Sequence, residues 1–479
     1  MQRLVSLLSL FLLTLSAQAQ DPAYEITITI KPFQNQYIYL GYYYGKTKPI
    51  VDSVRLDEKG TGVFKGNKKL DQGLYLIGYP DKSNYFELMV GAEQKFSVIT
   101  DTANLVNTIQ YIGSPENQRF NAYQKFTNEK GMAMDKAKRE LAASTNKADS
   151  TRLTQLINET NTAIQDYRLK YVKDHPKDLL TLLFHVMKEP TVPPADKHPG
   201  GKYDSTFAFH YFKDHFWDDV YFFDDRVVRT PVFEPKLDKY FDQLIYPNPD
   251  SVIKEIDWML GYASANAEMK KFLLVKFVNR YLNQKYMWED KVFVHLFEKY
   301  FSQQNYSWMT ERGRKTVFDR AYSLMANLLG NPAPGVELPD TAGKIRPLQE
   351  LKSPYTVVVF WDPTCSHCKE TLPRLDSIFQ AKWKKSQVAM FAIAKESEGT
   401  KKDWMDFIKG HKLWDWTHVY YSKQEENNRV SAGVPGYSQL FDITTVPTLY
   451  LLDKDKRILA KKIPLEQIDE VLAFKLKGQ

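Results

Sequence analysis

Val358-Val359-Phe360-Trp361-Asp362-Pro363-Thr364-Cys365-Ser366-His367-Cys368-Lys369 runs from an unbroken apolar segment straight into a pair of cysteines. A short apolar run of this kind reads as a strand buried on both faces. Pro363 ends it, and an amphipathic helix follows. The strand therefore delivers Cys365 to the start of a helix, where unpaired N–H groups and the helix dipole favour a thiolate. Cys368 lies one turn later on the same side, within disulfide reach. Cys365 is thus the expected attacking thiol and Cys368 the more buried resolving thiol, with exchange running through a mixed disulfide.

These are the only two cysteines in 479 residues. A disulfide across so short a loop gains little as a staple, because closure entropy grows with loop length. The pair therefore points to chemistry rather than to stability. A zinc site needs about four ligands, and one C-x-x-C falls short. Attachment of a c-type haem needs His directly after the second cysteine, where Lys369 stands. A static disulfide is the remaining alternative. Neither a metal nor a cofactor is expected.

Around this segment the pattern alternates between strand and helix. Thr356 to Trp361 and Val388 to Ala394 read as buried strands, with helices at Glu370–Phe379 and Asp403–Lys409. Thr448–Leu452 and Arg457–Ile463 form a hairpin around Asp453-Lys454-Asp455, and Pro464–Phe474 closes the chain as a helix. The linker Asn331-Pro332-Ala333-Pro334-Gly335 sets this α/β region, 331–479, apart.

Upstream, residues 113–330 read as an α-helical domain. Leu153, Ile157, Ile164, Tyr167 and Tyr171 recur on one helix face, and the polar Ser144–Asp149 stretch predicts a helical hairpin. Further helices are expected at Ser251–Leu260, Ala265–Gln284, Asp290–Gln303 and Thr310–Leu329, with a loop at Pro190–Gly201. Residues 20–112 alternate apolar and polar in short runs, as in Glu25-Ile26-Thr27-Ile28-Thr29-Ile30, with a turn at Asp57-Glu58-Lys59-Gly60. This period predicts an antiparallel, sandwich-like β domain.

The first 19 residues carry a secretory signal pattern. Arg3 supplies the positive end, Leu4 to Leu15 the apolar stretch, and Ala17-Gln18-Ala19 the small-x-small cleavage site. The chain is therefore expected to be exported, with no transmembrane segment after cleavage. Its 65 basic and 58 acidic residues are interspersed and leave a formal charge of +7. Without a basic block, nucleic acid is not an expected partner. His210 and His215 lie near Asp214, Asp218 and Asp219, but their spacing matches no standard metal motif.

Ala333 to Leu472 resembles the exported thioredoxin-like proteins of the TlpA/ResA type. The likeness rests on the entry segment Pro334–Asp340 with Gly343 and Leu348, on Phe360-Trp361-x-x-x-Cys365-x-x-Cys368, on Leu372-Pro373, and on Thr445-Val446-Pro447-Thr448. It implies a thiol-disulfide oxidoreductase of the periplasm of a Gram-negative bacterium. The matching proline, Pro447, would be cis and face the cysteines, with Val446 offering backbone hydrogen bonds to a bound partner. Val446, Pro447 and Trp361 are the implied partner contacts. The partners implied are cysteine-containing exported proteins and a membrane or periplasmic redox partner.

Thioredoxin has Gly-Pro between its cysteines, whereas Ser366-His367 stands here. A histidine in that slot resembles oxidising members of the family, so His367 and Ser366 are the expected modulators of thiolate stability. The buried acid of thioredoxin is absent, with Val359 in its place, and Glu396 is a candidate proton relay. The two upstream regions resemble domains of unknown function that precede thioredoxin domains in exported proteins. That likeness rests on Asp52-Ser53, Gly60 to Gly66, Gly73-Leu74-Tyr75 and Gly113–Asn117. The competing expectation is a cell-envelope binding or scaffold protein whose thioredoxin fold no longer turns over.

Overall fold

The computed structural model describes residues 21–398 and 400–477, so the signal segment expected at 1–19 lies outside them. The chain packs as two compact units. One comprises Tyr262–Met269 and the described residues up to Leu244; the other comprises Ile245–Gly261 and the described residues from Lys270 onward.

In the first unit, strands β1 (Tyr24–Lys31), β4 (Thr61–Gly66), β7 (Lys95–Asp101) and β8 (Gln110–Ile112) form one sheet, ordered β4-β1-β7-β8. Strands β2 (Tyr37–Tyr42), β3 (Ile50–Arg55), β5 (Gly73–Gly78) and β6 (Tyr85–Val90) form the other, ordered β3-β2-β5-β6. Ile26, Ile28 and Ile30 alternate inward along β1 and share one core with Ile38, Leu40, Ile77 and Leu88 of the second sheet. This is the sandwich that the period-two pattern predicts, with one difference. Strand β1 pairs antiparallel with β4 but parallel with β7, Ile26 lying opposite Phe96. The turn ahead of β4 requires glycine: Gly60 has φ +74°, and a Cβ there would sit 2.7 Å from the Phe33 carbonyl oxygen.

Helices α1 (Pro115–Ala143) and α2 (Lys147–Asp174) follow as a hairpin. Asn146 caps the start of α2 by accepting from Ala148 N at 2.8 Å. At the other end of α1, the buried Asn117 amide pairs with both backbone groups of Met89, at 2.7 and 2.8 Å. That side chain thereby satisfies the open edge of β6 as a neighbouring strand would. Shorter helices α3 (Leu179–Met187), α4 (Ser205–Asp214) and α5 (Phe233–Lys239) continue this unit.

The second unit holds helices α6 (Pro249–Ala263, up to Gly261), α7 (Ala267–Leu282, from Lys270), α8 (Glu289–Leu296) and α9 (Glu311–Met325). A small hairpin, β9 (Glu337–Pro339) with β10 (Ile345–Pro347), leads into a five-stranded sheet. Its strands are β11 (Tyr355–Trp361), β12 (Val388–Lys395), β13 (Thr417–Tyr421), β14 (Thr448–Asp453) and β15 (Ile458–Lys461), ordered β13-β12-β11-β14-β15. Strand β11 is central, parallel to β12 and antiparallel to β14.

All seven residues of β11 are buried. Val357, Val359 and Trp361 enter the core on one face, while Val358 and Phe360 enter the core on the other. Helices α10 (Ser366–Ile378), α11 (Lys401–His411), α12 (Lys423–Ser431) and α14 (Leu465–Lys477), with the short α13 (Tyr437–Leu440), complete the region. Strand β13, which the sequence pattern does not reveal, extends the parallel half of the sheet.

Candidate active site

The turn that joins β11 to α10 is built on one buried carboxylate. Asp362 Oδ1 accepts from Thr364 N at 2.7 Å and from Thr364 Oγ1 at 2.6 Å. Its Oδ2 accepts from Ser397 N and Glu398 N, both at 3.2 Å. Burial pushes the Asp362 carboxyl up, but the donors of Thr364, Glu398 and Ser397 outweigh it and hold the group below the usual carboxylate range. Asp362 is therefore ionised, and its four bonds fix the chain just ahead of the first cysteine.

Cys365 occupies the N-cap of α10 with extended backbone, φ −66° and ψ 125°. Its side chain makes no capping bond, so the first-turn N–H groups remain open to stabilise negative charge on sulfur. Cys365 is half-buried and Cys368 fully buried, and both are free thiols. Asp362 N lies 3.5 Å from Cys368 Sγ. Burial pushes the Cys368 thiol far above its ordinary range. The Asp362 N–H works against that rise, while Cys365 and the Asp362 charge add to it. One sulfur is accessible at a helix start, and the other is protonated and enclosed one turn later.

The opposite wall is the loop before β14. The Val446–Pro447 peptide is cis, and Cys365 Sγ lies 3.6 Å from the Val446 carbonyl oxygen. Thr448 Oγ1 donates to Thr445 O at 2.5 Å and braces the loop across the proline. Val446 and Pro447 are both partly exposed. A partner strand laid against them would meet backbone polar groups beside the reacting sulfur.

Ser366 and His367 are exposed on the first turn of α10. Trp361 corrects an expectation. It is fully buried and packs on Phe407 with ring centroids 5.1 Å apart. It forms core beneath the cysteines rather than a contact surface for a partner, because strand alternation puts it on the same face as Val357 and Val359. Glu396 accepts from Lys423 N at 2.9 Å and so serves the start of α12. His215 Nδ1 pairs with Asp218 at 2.8 Å. Among the described residues, no group of three or more His, Cys, Asp or Glu is arranged to hold a metal, and no helix is long and apolar enough to cross a membrane.

The residue that sequence reasoning missed is Asp362. Its signal was the Asp-Pro-Thr spacing directly ahead of a helix, since an Asp side chain readily accepts from the backbone N–H two residues on.

Residues 354–458 match the model of a family described as thioredoxin-like. Residues 24–120 and 142–317 match two domains of unknown function, DUF4369 and DUF5106. The C-terminal region is thus a thioredoxin-like domain carried behind two family domains to which no function is attached. No curated protein matches the chain.

Among solved structures, a thioredoxin-like protein from Bacteroides caccae is 19% identical, covers 60% of this chain and 98% of its own, and gives a TM-score of 0.43. A domain of a "possible thiol-disulfide isomerase" from Cytophaga hutchinsonii is 31% identical over 32% of this chain and 95% of its own, with a TM-score of 0.27. The thioredoxin domain of a thiol-disulfide oxidoreductase from Bacteroides vulgatus is 24% identical over 30% of this chain and 96% of its own, with a TM-score of 0.26.

Proposed function

We infer that this chain is an exported thiol-disulfide oxidoreductase that exchanges disulfides with protein partners through Cys365 and Cys368. The observation that carries the inference is the asymmetry of the pair. Cys365 Sγ is half-exposed at a helix start and 3.6 Å from the Val446 carbonyl oxygen, while Cys368 is fully buried one turn on. The thioredoxin-like match over residues 354–458 supports it, and the leader pattern of the first 19 residues supports export.

In the reducing direction the Cys365 thiolate attacks one sulfur of a partner disulfide. A bond forms between Cys365 Sγ and that sulfur, and the other partner sulfur leaves as a thiolate and takes up a proton. Cys368 then loses its proton and attacks Cys365 Sγ. The Cys365–Cys368 disulfide forms, the partner's second thiolate leaves, and two electrons have passed from the protein to the partner. The oxidised pair is returned to the dithiol by a membrane or periplasmic thiol donor. Running the same steps backwards makes the protein a disulfide donor. His367, exposed two residues after the attacking cysteine, is the residue in this loop that tunes the balance between reduction and donation.

The test is Cys368→Ser in the full chain, expressed with its leader. Partners should accumulate on Cys365 as mixed disulfides, visible on non-reducing gels and released by reductant. If nothing is trapped while Cys365 stays alkylatable, the domain is a scaffold and the proposal fails.

A further inference from the structure

A cleft of about 390 Å³ opens beside the loop that leads to Pro447. Thr444 of that loop and Lys461, Lys462 and Ile463 at the end of β15 line one side, and segment 283–290 of the same unit, the turn between α7 and α8 with the start of α8, lines the other. Met287 from that segment is partly buried against the same core as Cys365, Val446 and Ile463. The cleft adjoins the loop that faces the reacting sulfur, since Thr444 in its lining is only two residues from Val446, whose carbonyl oxygen lies 3.6 Å from Cys365 Sγ.

The charge in this cleft is unbalanced. Lys285, Arg320, Lys461 and Lys462 line it against two carboxylates, Asp290 and Asp442. Lys461 is fully committed. It is buried, ion-paired with buried Asp290, and donates to Asn327 O and Oδ1, both at 2.6 Å. Asp442, also buried, is shared by two cations, Arg320 at 2.7 Å and Lys462. Those two positive charges meet one negative, and exposed Lys285 adds another. Buried Glu289, which accepts from Lys285 N at 2.6 Å and from Tyr286 N at 3.2 Å, adds a third carboxylate behind this wall, so four cations against three anions leave an excess of one positive charge, carried by exposed Lys285. A like-signed concave wall concentrates oppositely charged groups and speeds their encounter. Next to it Tyr286, 61% exposed, stacks on Trp288 with centroids 6.3 Å apart and rings nearly parallel.

The geometry points to this cleft as the subsite for the polypeptide that flanks a partner's reacting disulfide, with preference for acidic side chains next to the partner cysteine. This rests on the oxidoreductase assignment and adds the substrate class. It also gives the helical region a task, since segment 283–290 supplies the wall that a thioredoxin-like domain alone lacks. A volume of this size suits a few side chains rather than a folded domain, being near the lower end of ligand pockets.

The experiment compares the reduced full chain on two disulfide-linked peptides that differ only in Glu or Lys two residues from the cysteine. A small neutral substrate, hydroxyethyl disulfide, reports the thiol chemistry itself. The Glu peptide should react roughly tenfold faster at low salt, and the ratio should shrink toward one by roughly 0.5 M salt as screening sets in. Lys285→Glu lies on an exposed position and should at least halve that ratio while leaving hydroxyethyl disulfide turnover unchanged. Equal rates for the two peptides with hydroxyethyl disulfide turnover intact would overturn the subsite and spare the oxidoreductase assignment. No turnover of any of the three would overturn both.

Discussion

Asp362→Asn should accelerate the second half of disulfide exchange and leave the first half nearly unchanged. The structure sets the size of the effect. Asp362 N is 3.5 Å from Cys368 Sγ, and its carboxylate is three bonds further along the side chain, so charge and sulfur are roughly 7 Å apart at most. At an effective dielectric of about 20, a unit charge at that distance is worth about 2 kcal/mol. Discounting for solvent at the site leaves about 1.4 kcal/mol, or roughly tenfold more Cys368 thiolate at a given pH. A less basic thiolate is also a weaker nucleophile, by roughly threefold for that change, so the net gain is about threefold.

An aromatic disulfide such as dithiobis-nitrobenzoate separates the two steps. The first coloured thiolate appears when Cys365 attacks, and the second when Cys368 resolves the mixed disulfide. The amide also loses acceptance for two of the four donors around Asp362. The backbone N–H of Thr364, or those of Ser397 and Glu398, should then exchange hydrogen faster than in the parent. A second phase that is unchanged or slower, with the first intact, would refute the idea that the Asp362 charge adds to the effect of burial in holding the resolving thiol protonated.

Three other outcomes follow from neighbouring groups. Replacing exposed His367 with Ala should lower the reduction potential by about 20–30 mV, the equivalent of about 1 kcal/mol in a two-electron couple; an unchanged value in glutathione buffers removes His367 from the tuning of the site. Burial pushes His418, which bonds to Leu413 O at 2.7 Å, down to about 4. The unfolded chain therefore takes up the proton first as pH falls from about 6.5, and up to about 3 kcal/mol of stability should drain away between there and pH 4. His418→Gln should flatten that slope in thermal melts, and a slope that persists would assign the loss to other groups. Lys461→Met strands buried Asp290 and should destabilise the second unit by about 3–5 kcal/mol. Asp290→Leu in the same chain should recover most of it, and equal melting of the single and double variants would show that the ion pair does not govern this site.

What could be read from sequence was what local pattern determines. The unbroken run of β11 announced a strand buried on both sides, and the inward isoleucines of β1 announced a half-buried one. The sequence therefore led to the cysteines and their order of burial. The parallel pairing of β1 with β7 was hidden because alternation shows which face a strand buries, not which neighbour it takes. Strand β13 escaped because Thr417–Tyr421 is five residues long and holds a histidine, whose burial depends on a carbonyl outside the strand. Trp361 was misread although the signal was present, since it shares its parity with Val357 and Val359 and so must face the same core.

Asp362 is the deeper case. Ahead of a proline, an aspartate reads as an ordinary turn residue, and half of its partners, at Thr364, are consistent with that. The other half, Ser397 N and Glu398 N, come from the far end of β12, more than thirty residues on. A carboxylate stays ionised out of water only where donors converge on it. Convergence from two segments leaves no mark on either one alone. The sequence could thus lack an acid at Val359 and the fold still hold a charge beside Cys368, carried in from the following turn rather than from the strand.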